Sequence, residues 1–324
     1  MDPASVEQRV NWCQFPQWYP LFRSLIPKAR ILECPLEFRA FLLSDGIHLN
    51  HQSTSSSQLG SSDSDQDLSD DSSSIGSEIE RATLRRDSIE PVYPPIEFER
   101  QIINVINELD GAVCPKLNWS APKDAVWISP TNNMKCIHPS DIYMLLKASD
   151  YCMHDLTAPY GTGTAPDTLY LVLREWFDIN PSLEFRCFVR NKTLIAATQR
   201  DLNYYEFLHN EKAVIRQLLE ELAVNLMAFP DKDFVFDAYI PKSFAKAWLI
   251  DINPWLEKTD TLLVDWDDLN TRTDFALSLV PKEYSSGEFG SRPHSVNSVP
   301  HDFVDMDLNT AEDLVQQLRK HTDK

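Results

Sequence analysis

Phe234-Val235-Phe236-Asp237-Ala238-Tyr239 and, a few residues on, Ala247-Trp248-Leu249-Ile250-Asp251-Ile252-Asn253-Pro254 are two apolar runs interrupted by acids. β-Branched and aromatic residues dominate both, and their closeness in the chain makes them a hairpin over 233–240 and 247–253. Strand side chains alternate in face, which puts Asp251 and Asn253 on one side. A turn centred near Phe244 sets Asp237 directly opposite Asp251, and opposed side chains lie about 5 Å apart on a shared face. Two like charges there repel, so something has to neutralise them. Hard oxygen ligands at this spacing suit Mg²⁺, which takes one or two carboxylates plus substrate phosphates. The alternative is a solvent-facing acidic pair on a half-buried sheet. Under the metal reading, alanine at Asp237 or Asp251 abolishes Mg²⁺-dependent binding, and by relieving repulsion leaves the fold intact.

Upstream, 184–190 and 193–199 read as a second hairpin across Asn191-Lys192, with Glu184 and Arg186 on one face and Phe185, Cys187 and Val189 on the other. A three-residue loop sets Arg200 opposite Glu184, whereas a two-residue loop turns Arg200 to the other face. The stretch 168–177 reads as a long strand, with 112–116 and 125–128 as short ones. Pro94 and Pro95 open a helix whose face carries Phe98, Ile102, Val105, Ile106 and Leu109, and Gly111 closes it. Ser140 is expected to cap a helix containing Ile142, Leu145 and Leu146. Ile215, Leu218, Leu219, Leu222 and Leu226 mark a second long helix. Strand pairs interrupted by helices indicate an α+β fold with mainly antiparallel sheets.

Three further segments offer chemistry. Glu184 beside Arg186 is either a surface ion pair, worth about 0–1 kcal/mol, or an Arg for a phosphate with a Glu for a ribose hydroxyl or a Lys. Lys116 ends an apolar strand, where it either meets a phosphate or snorkels to solvent. Leu171-Val172-Leu173-Arg174-Glu175-Trp176-Phe177 runs from apolar into charged-aromatic sequence. Its free backbone groups could read a purine edge, or it is a buried strand and nothing more. His48 and His51 have no matching Cys or His pair for zinc, and no G-x-G-x-x-G, P-loop, G-x-S-x-G or H-E-x-x-H is present.

The chain has 324 residues, with 30 Lys+Arg against 49 Asp+Glu and a net charge of −19. That sign disfavours nucleic acid and anionic membranes as partners. No apolar run approaches the roughly 20 residues that span a bilayer, and the opening residues lack a signal-peptide pattern. The six cysteines are scattered with no C-x-x-C pair, which suits reduced, buried thiols in the cytosol. Residues 51–80 hold 12 Ser, five Asp and two Glu with no Lys or Arg. Such a stretch buries too little apolar surface to offset the entropy of ordering, so 51–92 reads as a disordered acidic linker. Ser62-Asp63-Ser64-Asp65, Ser77-Glu78-Ile79-Glu80 and Arg85-Arg86-Asp87-Ser88 resemble kinase sites within it. The aromatic segment Trp12-Cys13-Gln14-Phe15-Pro16-Gln17-Trp18-Tyr19-Pro20 makes residues 1–50 a piece that packs on the core. Ala311, Leu314, Val315 and Leu318 mark a short helix in the tail, 301–324.

Taken in order, these segments resemble the nucleotide site of ATP-grasp proteins, and more narrowly the cell division cycle protein 123 family. The stretches that carry the resemblance are Cys13-Gln14-Phe15 with Trp18-Tyr19-Pro20, Pro115-Lys116-Leu117-Asn118-Trp119-Ser120-Ala121-Pro122, Leu171-Val172-Leu173-Arg174, Glu184-Phe185-Arg186-Cys187-Phe188, Gln199-Arg200-Asp201, Asp233-Phe234-Val235-Phe236-Asp237, Ile250-Asp251-Ile252-Asn253-Pro254 and Asp302-Phe303-Val304-Asp305. The resemblance implies an ATP-grasp core over 93–278, two lobes with flanking helices, followed by a variable loop at 279–300. It implies bound ATP and Mg²⁺. Lys116, Lys123 and Arg186 would face phosphates with Ala121 and Arg200 nearby, and Arg174, Glu175, Trp176 and Phe177 would form the adenine hinge. Glu184 would lie by the ribose or the phosphate-binding cations, and Asp237, Asp251 and Asn253 would ligate the metal. It further implies a cytoplasmic, monomeric assembly factor for translation initiation factor 2 that binds its gamma subunit and supports translation initiation and cell-cycle progression. An ATP-dependent acid–amine ligase is the alternative. Because the linker has few apolar anchors, deleting Gln52 to Ser77 is expected to leave both the melting temperature and its ATP-induced shift unchanged in a thermal-shift assay.

Overall fold

The computed structural model describes residues 3–50 and 91–283. The expected linker with its kinase-like motifs, most of the loop at 279–300, the Asp302–Asp305 match and the tail helix lie outside the described residues. The chain opens with helices α1 (Pro3–Trp12) and α2 (Phe15–Phe22), strand β1 (Ala29–Glu33) and helix α3 (Leu36–Leu43). From residue 91 onward come α4 (Ile96–Glu108), β2 (Val113–Lys116), α5 (Pro139–Lys147), α6 (Asp150–Thr157) and β3 (Tyr170–Glu175). Strands β4 (Glu184–Arg190) and β5 (Thr193–Gln199), helices α7 (Glu206–Asn210) and α8 (Lys212–Asn225), strands β6 (Phe234–Tyr239) and β7 (Trp248–Pro254), helix α9 (Trp266–Thr271) and strand β8 (Ala276–Ser278) complete it. The fold is α+β: a small sheet ordered β1-β3-β2 and a large one ordered β7-β6-β4-β5-β8, every pairing antiparallel except β5 with β8.

Local sequence explains most of these boundaries. Gly111, at φ +81°, ends α4 by donating its N–H to Ile106 O at 2.9 Å, closing the helix in the left-handed conformation that glycine adopts without penalty. The β4–β5 hairpin turns on Asn191 and Lys192, both with positive φ as a two-residue hairpin turn requires. A bulge at Phe188/Val189 then shifts the register by one residue, so that Arg200 N–H reaches Glu184 O at 2.9 Å. The loop has two residues, yet Arg200 still ends up beside Glu184. In the other hairpin Asp237 pairs with Asp251 as the sequence predicts, with a bulge immediately beyond it.

Two expectations fail. Residues Lys123–Ile128 form 3₁₀ turns rather than a strand, because Ala125 N–H bonds back to Pro122 O and Asp124 is drawn to the start of α6 by Ser149 Oγ and Tyr151 N–H. Helix α5 begins earlier than Ser140. His138 is its cap, Pro139 its first residue, and Asp141 Oδ2 accepts from the N–H groups of Ile137 and His138. The six cysteines are unbridged, as expected.

The alternation read along β4 and β6 divides the large sheet's two faces. Phe185, Cys187, Val189, Phe234, Phe236 and Ala238 join one core with α8, while Phe188 and Val235 join a smaller cluster with Leu269 of α9. The N-terminal helices belong to the first core through Val10, Phe15, Trp18, Tyr19 and Phe22. A second core gathers α3, α4, α5 and α6 on the small sheet. Asn118, fully buried, joins these parts: its Nδ2 donates to Gln14 Oε1 and Thr168 O, each at 2.9 Å, and its Oδ1 accepts from Tyr170 N–H at 2.7 Å. Replacing Asn118 by Ala orphans the half-buried Tyr170 N–H and Thr168 C=O. We expect a loss of about 2–4 kcal/mol in urea denaturation, with the Tyr170 amide exchanging faster in hydrogen-exchange measurements.

Candidate functional site

A cleft of about 1020 Å³ runs between the two sheets, lined on one side by Trp119–Ala121, Lys123, Asp155 and Arg174 and on the other by Glu184, Arg186, Arg200, Asp237, Asp251 and Asn253. Strand order makes the wall. Because β4 lies next to β6, Arg186 is directly opposite Asp237, and the Arg grips the acid with Nε–Oδ1 at 2.8 Å and Nη2–Oδ2 at 3.0 Å. Arg200, brought round by the bulge, adds Nη1–Oδ2 at 2.5 Å. Burial pushes the Asp237 carboxyl up, but the charges of Arg186 and Arg200, with the Arg186 hydrogen bonds and the Lys123 charge, outweigh it and hold Asp237 well below the usual carboxylate range. Arg186 also donates Nη1 to Asp260 O at 2.8 Å, fixing the loop after β7.

The repulsion expected between Asp237 and Asp251 is thus relieved by the protein's own cations. Asp251 takes Lys116 Nζ on Oδ2 at 2.7 Å and Ile252 N–H on Oδ1 at 3.0 Å. Lys116 is 1% exposed and also donates to Trp119 O, so it sits behind Asp251, away from the cleft lining. Glu184 lies among cations, with Lys123 Nζ at 3.4 Å and Arg200 Nε at 3.8 Å. Burial, then the neighbouring Arg200 charge, lowers the Lys123 pKa against the pull of Glu184 and Asp237.

The hinge residues part company. Arg174 reaches the cleft, its Nη1 on Ile250 O at 3.1 Å. Glu175, Trp176 and Phe177 do not line it. The ladder continues through this strand end, with Glu175 N–H on Lys28 O and Trp176 N–H on Ala112 O, and Phe177 turns toward the Tyr239 ring.

Among the lining residues that sequence reasoning missed are Asp155, Tyr160 and Lys258. Asp155 on α6 accepts from Trp119 N–H, Ser120 N–H and Ser120 Oγ at 2.7–3.0 Å, which fixes the turn before Ala121. Burial lifts its carboxyl to about 6 against those hydrogen bonds. Nothing local marks it, since its partners are far away in the chain. Tyr160 donates its hydroxyl to Asn253 Oδ1 at 3.1 Å, and Lys258 lies over Gly161. Here a signal existed: Gly161 and Gly163 are two of only eight glycines, set close together.

The pairing also corrects the expectation that either acid can be removed with the fold intact. Asp237→Ala strands Arg186 and Arg200 together in a buried wall, and breaking such a pair costs about 3–5 kcal/mol. A lower urea midpoint at pH 7 is expected. Since the folded pKa is depressed, the stabilisation is fully present above the ordinary aspartate pKa and is lost as pH falls toward the folded value. The gap between wild type and variant therefore narrows in acid.

The profile of the D123 family matches residues 18–307. A protein named cell division cycle protein 123 from Yarrowia lipolytica is 41% identical over 322 residues, covering 95% of this chain and 81% of the relative. One named translation initiation factor eIF2 assembly protein from Schizosaccharomyces pombe is 38% identical over 313 residues, 92% of this chain and 91% of its own. The solved structure of Cdc123 from Schizosaccharomyces pombe superposes with a TM-score of 0.68 at 37% identity, spanning 85% of this chain and 98% of that one. Sequence and architecture agree over nearly the whole length: the chain belongs to the D123 family of cell division cycle protein 123.

Proposed function

We propose that this chain binds ATP with Mg²⁺ between its two sheets, in the manner of an ATP-grasp protein, and assists the assembly of translation initiation factor 2 by engaging its gamma subunit. The observation that carries the assembly role is the name translation initiation factor eIF2 assembly protein, borne by relatives about 40% identical over most of the chain. The cleft supports the nucleotide part. It gathers Lys123, Arg174, Arg186 and Arg200 around two opposed carboxylates, a combination suited to a polyphosphate with a divalent cation.

The donor set fits Mg²⁺. Asp237 accepts three hydrogen bonds and Asp251 two, fewer than the roughly four a carboxylate can take. Buried Asn253 Nδ2 has no hydrogen-bond partner, and since amide orientation is interchangeable, a half-turn puts Oδ1 in that unpartnered position. Asp237, Asp251 and Asn253 would hold the ion, whose role when bound is to neutralise phosphate charge. Arg186 and Arg200 hold Asp237 ionised, Lys123 and Arg174 present positive charge to phosphates, and Asp155 fixes the turn at Ala121. None of these is assigned a catalytic role. The acidic chain would be matched in sign by a basic patch on the partner, and cytoplasmic action as a monomer completes the reading. Among the described residues no helix is long and apolar enough to cross a membrane.

Calorimetric titration tests the nucleotide part. ATP is expected to bind in Mg²⁺ and to weaken at least about tenfold in excess chelator, and Asn253→Ala is expected to match the chelator effect without a large fall in melting temperature. Purified gamma subunit should co-elute with the chain when ATP·Mg²⁺ is present. Stoichiometric modification of that subunit with ADP release would instead establish the acid–amine ligase.

A further inference from the structure

We infer that Lys258 reads the terminal phosphate of the bound nucleotide and so makes the cleft prefer a nucleoside triphosphate over the diphosphate; this rests on the nucleotide reading above and deepens it. The first ground is the electrostatic state of the other cations. Arg186 and Arg200 are committed to Asp237, Lys123 to Glu184 and Lys116 to Asp251. Arg174 is held by Ile250 O. Lys258 lines the same cleft, is exposed, and among the described residues no hydrogen bond or ion pair engages its ammonium. An anion reaching the other paired cations has to share them with a carboxylate, whereas at Lys258 it meets an uncommitted charge.

Position is the second ground. A Cβ built on Gly161 would collide with Lys258 Nζ, so the ammonium lies directly over a backbone that only the missing side chain leaves open. Gly161, at φ +72°, follows Tyr160, whose hydroxyl is on Asn253. This associates the ammonium with the part of the cleft lined by Tyr160 and Asn253, the latter one of the residues that would hold the metal.

The third ground is a fixed base under a long, exposed side chain. Buried Thr259, the next residue, donates Oγ1 to Pro254 O at 2.8 Å, and Asp260 O accepts Arg186 Nη1 at 2.8 Å. The backbone carrying Lys258 is therefore locked to the acid–arginine wall, while the exposed ammonium has no carboxylate partner to give up before it meets a phosphate. The added contact is a charged hydrogen bond present with a third phosphate and absent without one.

The experiment is calorimetric titration of the full chain with ATP and with ADP, both in Mg²⁺, for wild type, Lys258→Gln and Lys258→Arg. Since Lys258 is exposed, melting temperatures are expected to be equal. Lys258→Gln is expected to weaken ATP about tenfold and ADP less than about twofold, and Lys258→Arg to recover most of the loss. Equal weakening of both nucleotides, or ATP affinity unchanged in Lys258→Gln, overturns the inference alone. No ATP binding by the wild type overturns the nucleotide reading and this inference with it.

Discussion

One buried carboxylate organises the cleft wall. Asp237 is 3% exposed and sits on a central strand, where an isolated charge would be intolerable. It is tolerable because strand β4 delivers Arg186 from directly opposite and the end of β5 delivers Arg200. Each arginine in turn depends on the acid. The register of three strands and the bulge in β4–β5 all bear on that arrangement, since a one-residue slip would turn Arg186 into the hydrophobic core occupied by Phe185 and Cys187. The constraint extends past the sheet, because Arg186 also holds the carbonyl of Asp260 and with it the loop that carries Lys258.

The opposite wall is built from less regular structure and is fixed differently. The turn at Trp119–Ala121 has no ladder to hold it, so its backbone donors are met by Asp155 and its indole by Val10 O, at 2.8 Å, in the first helix. Phe15 N–H reaches Asn118 O at 2.8 Å, a second tie to the N-terminal helices. Residues at the very start of the described chain thereby support the back of the cleft, although none of them lines it. Lys116 completes the link between walls, bonded to Trp119 O on one side and Asp251 on the other.

How far the sequence revealed this depended on range. The hairpins at 184–199 and 233–254 were legible because alternation is a local signal and their partners are neighbours in the chain. The acids Asp237 and Asp251 were legible for the same reason. What neutralises them was not, because the order β4 next to β6 is a long-range fact; once it is known, Arg186 opposite Asp237 follows at once. Strand β1, Ala29-Arg30-Ile31-Leu32-Glu33, was missed since its alternation is weak and its partner is β3, far along the chain. The surroundings of the hinge stretch were not legible either, for the sequence could not reveal that Lys28 O and Ala112 O accept the backbone N–H groups of Glu175 and Trp176. Short 3₁₀ turns at Lys123–Ile128 were mistaken for a strand because four apolar-leaning residues do not distinguish the two.

The self-neutralised wall bears on how a ligand of the proposed kind would be accommodated. A cleft lined by cations alone would be strained when empty, and one lined by acids alone would repel phosphate. Here each buried cation of the wall already has a carboxylate or carbonyl, so none of these charges depends on a ligand for a partner. Arrival of a phosphate together with a divalent cation adds one negative and one positive partner to an existing network rather than burying new charge unpaired. Either alone would upset the balance: phosphate without metal adds anions beside Asp237 and Asp251, and metal without phosphate adds a cation beside Arg186, Arg200 and Lys123. Joint binding is thus the low-cost route. That route depends on the paired state of Asp237, a feature invisible in composition and fixed by which strands lie side by side and by the bulge that brings Arg200 round.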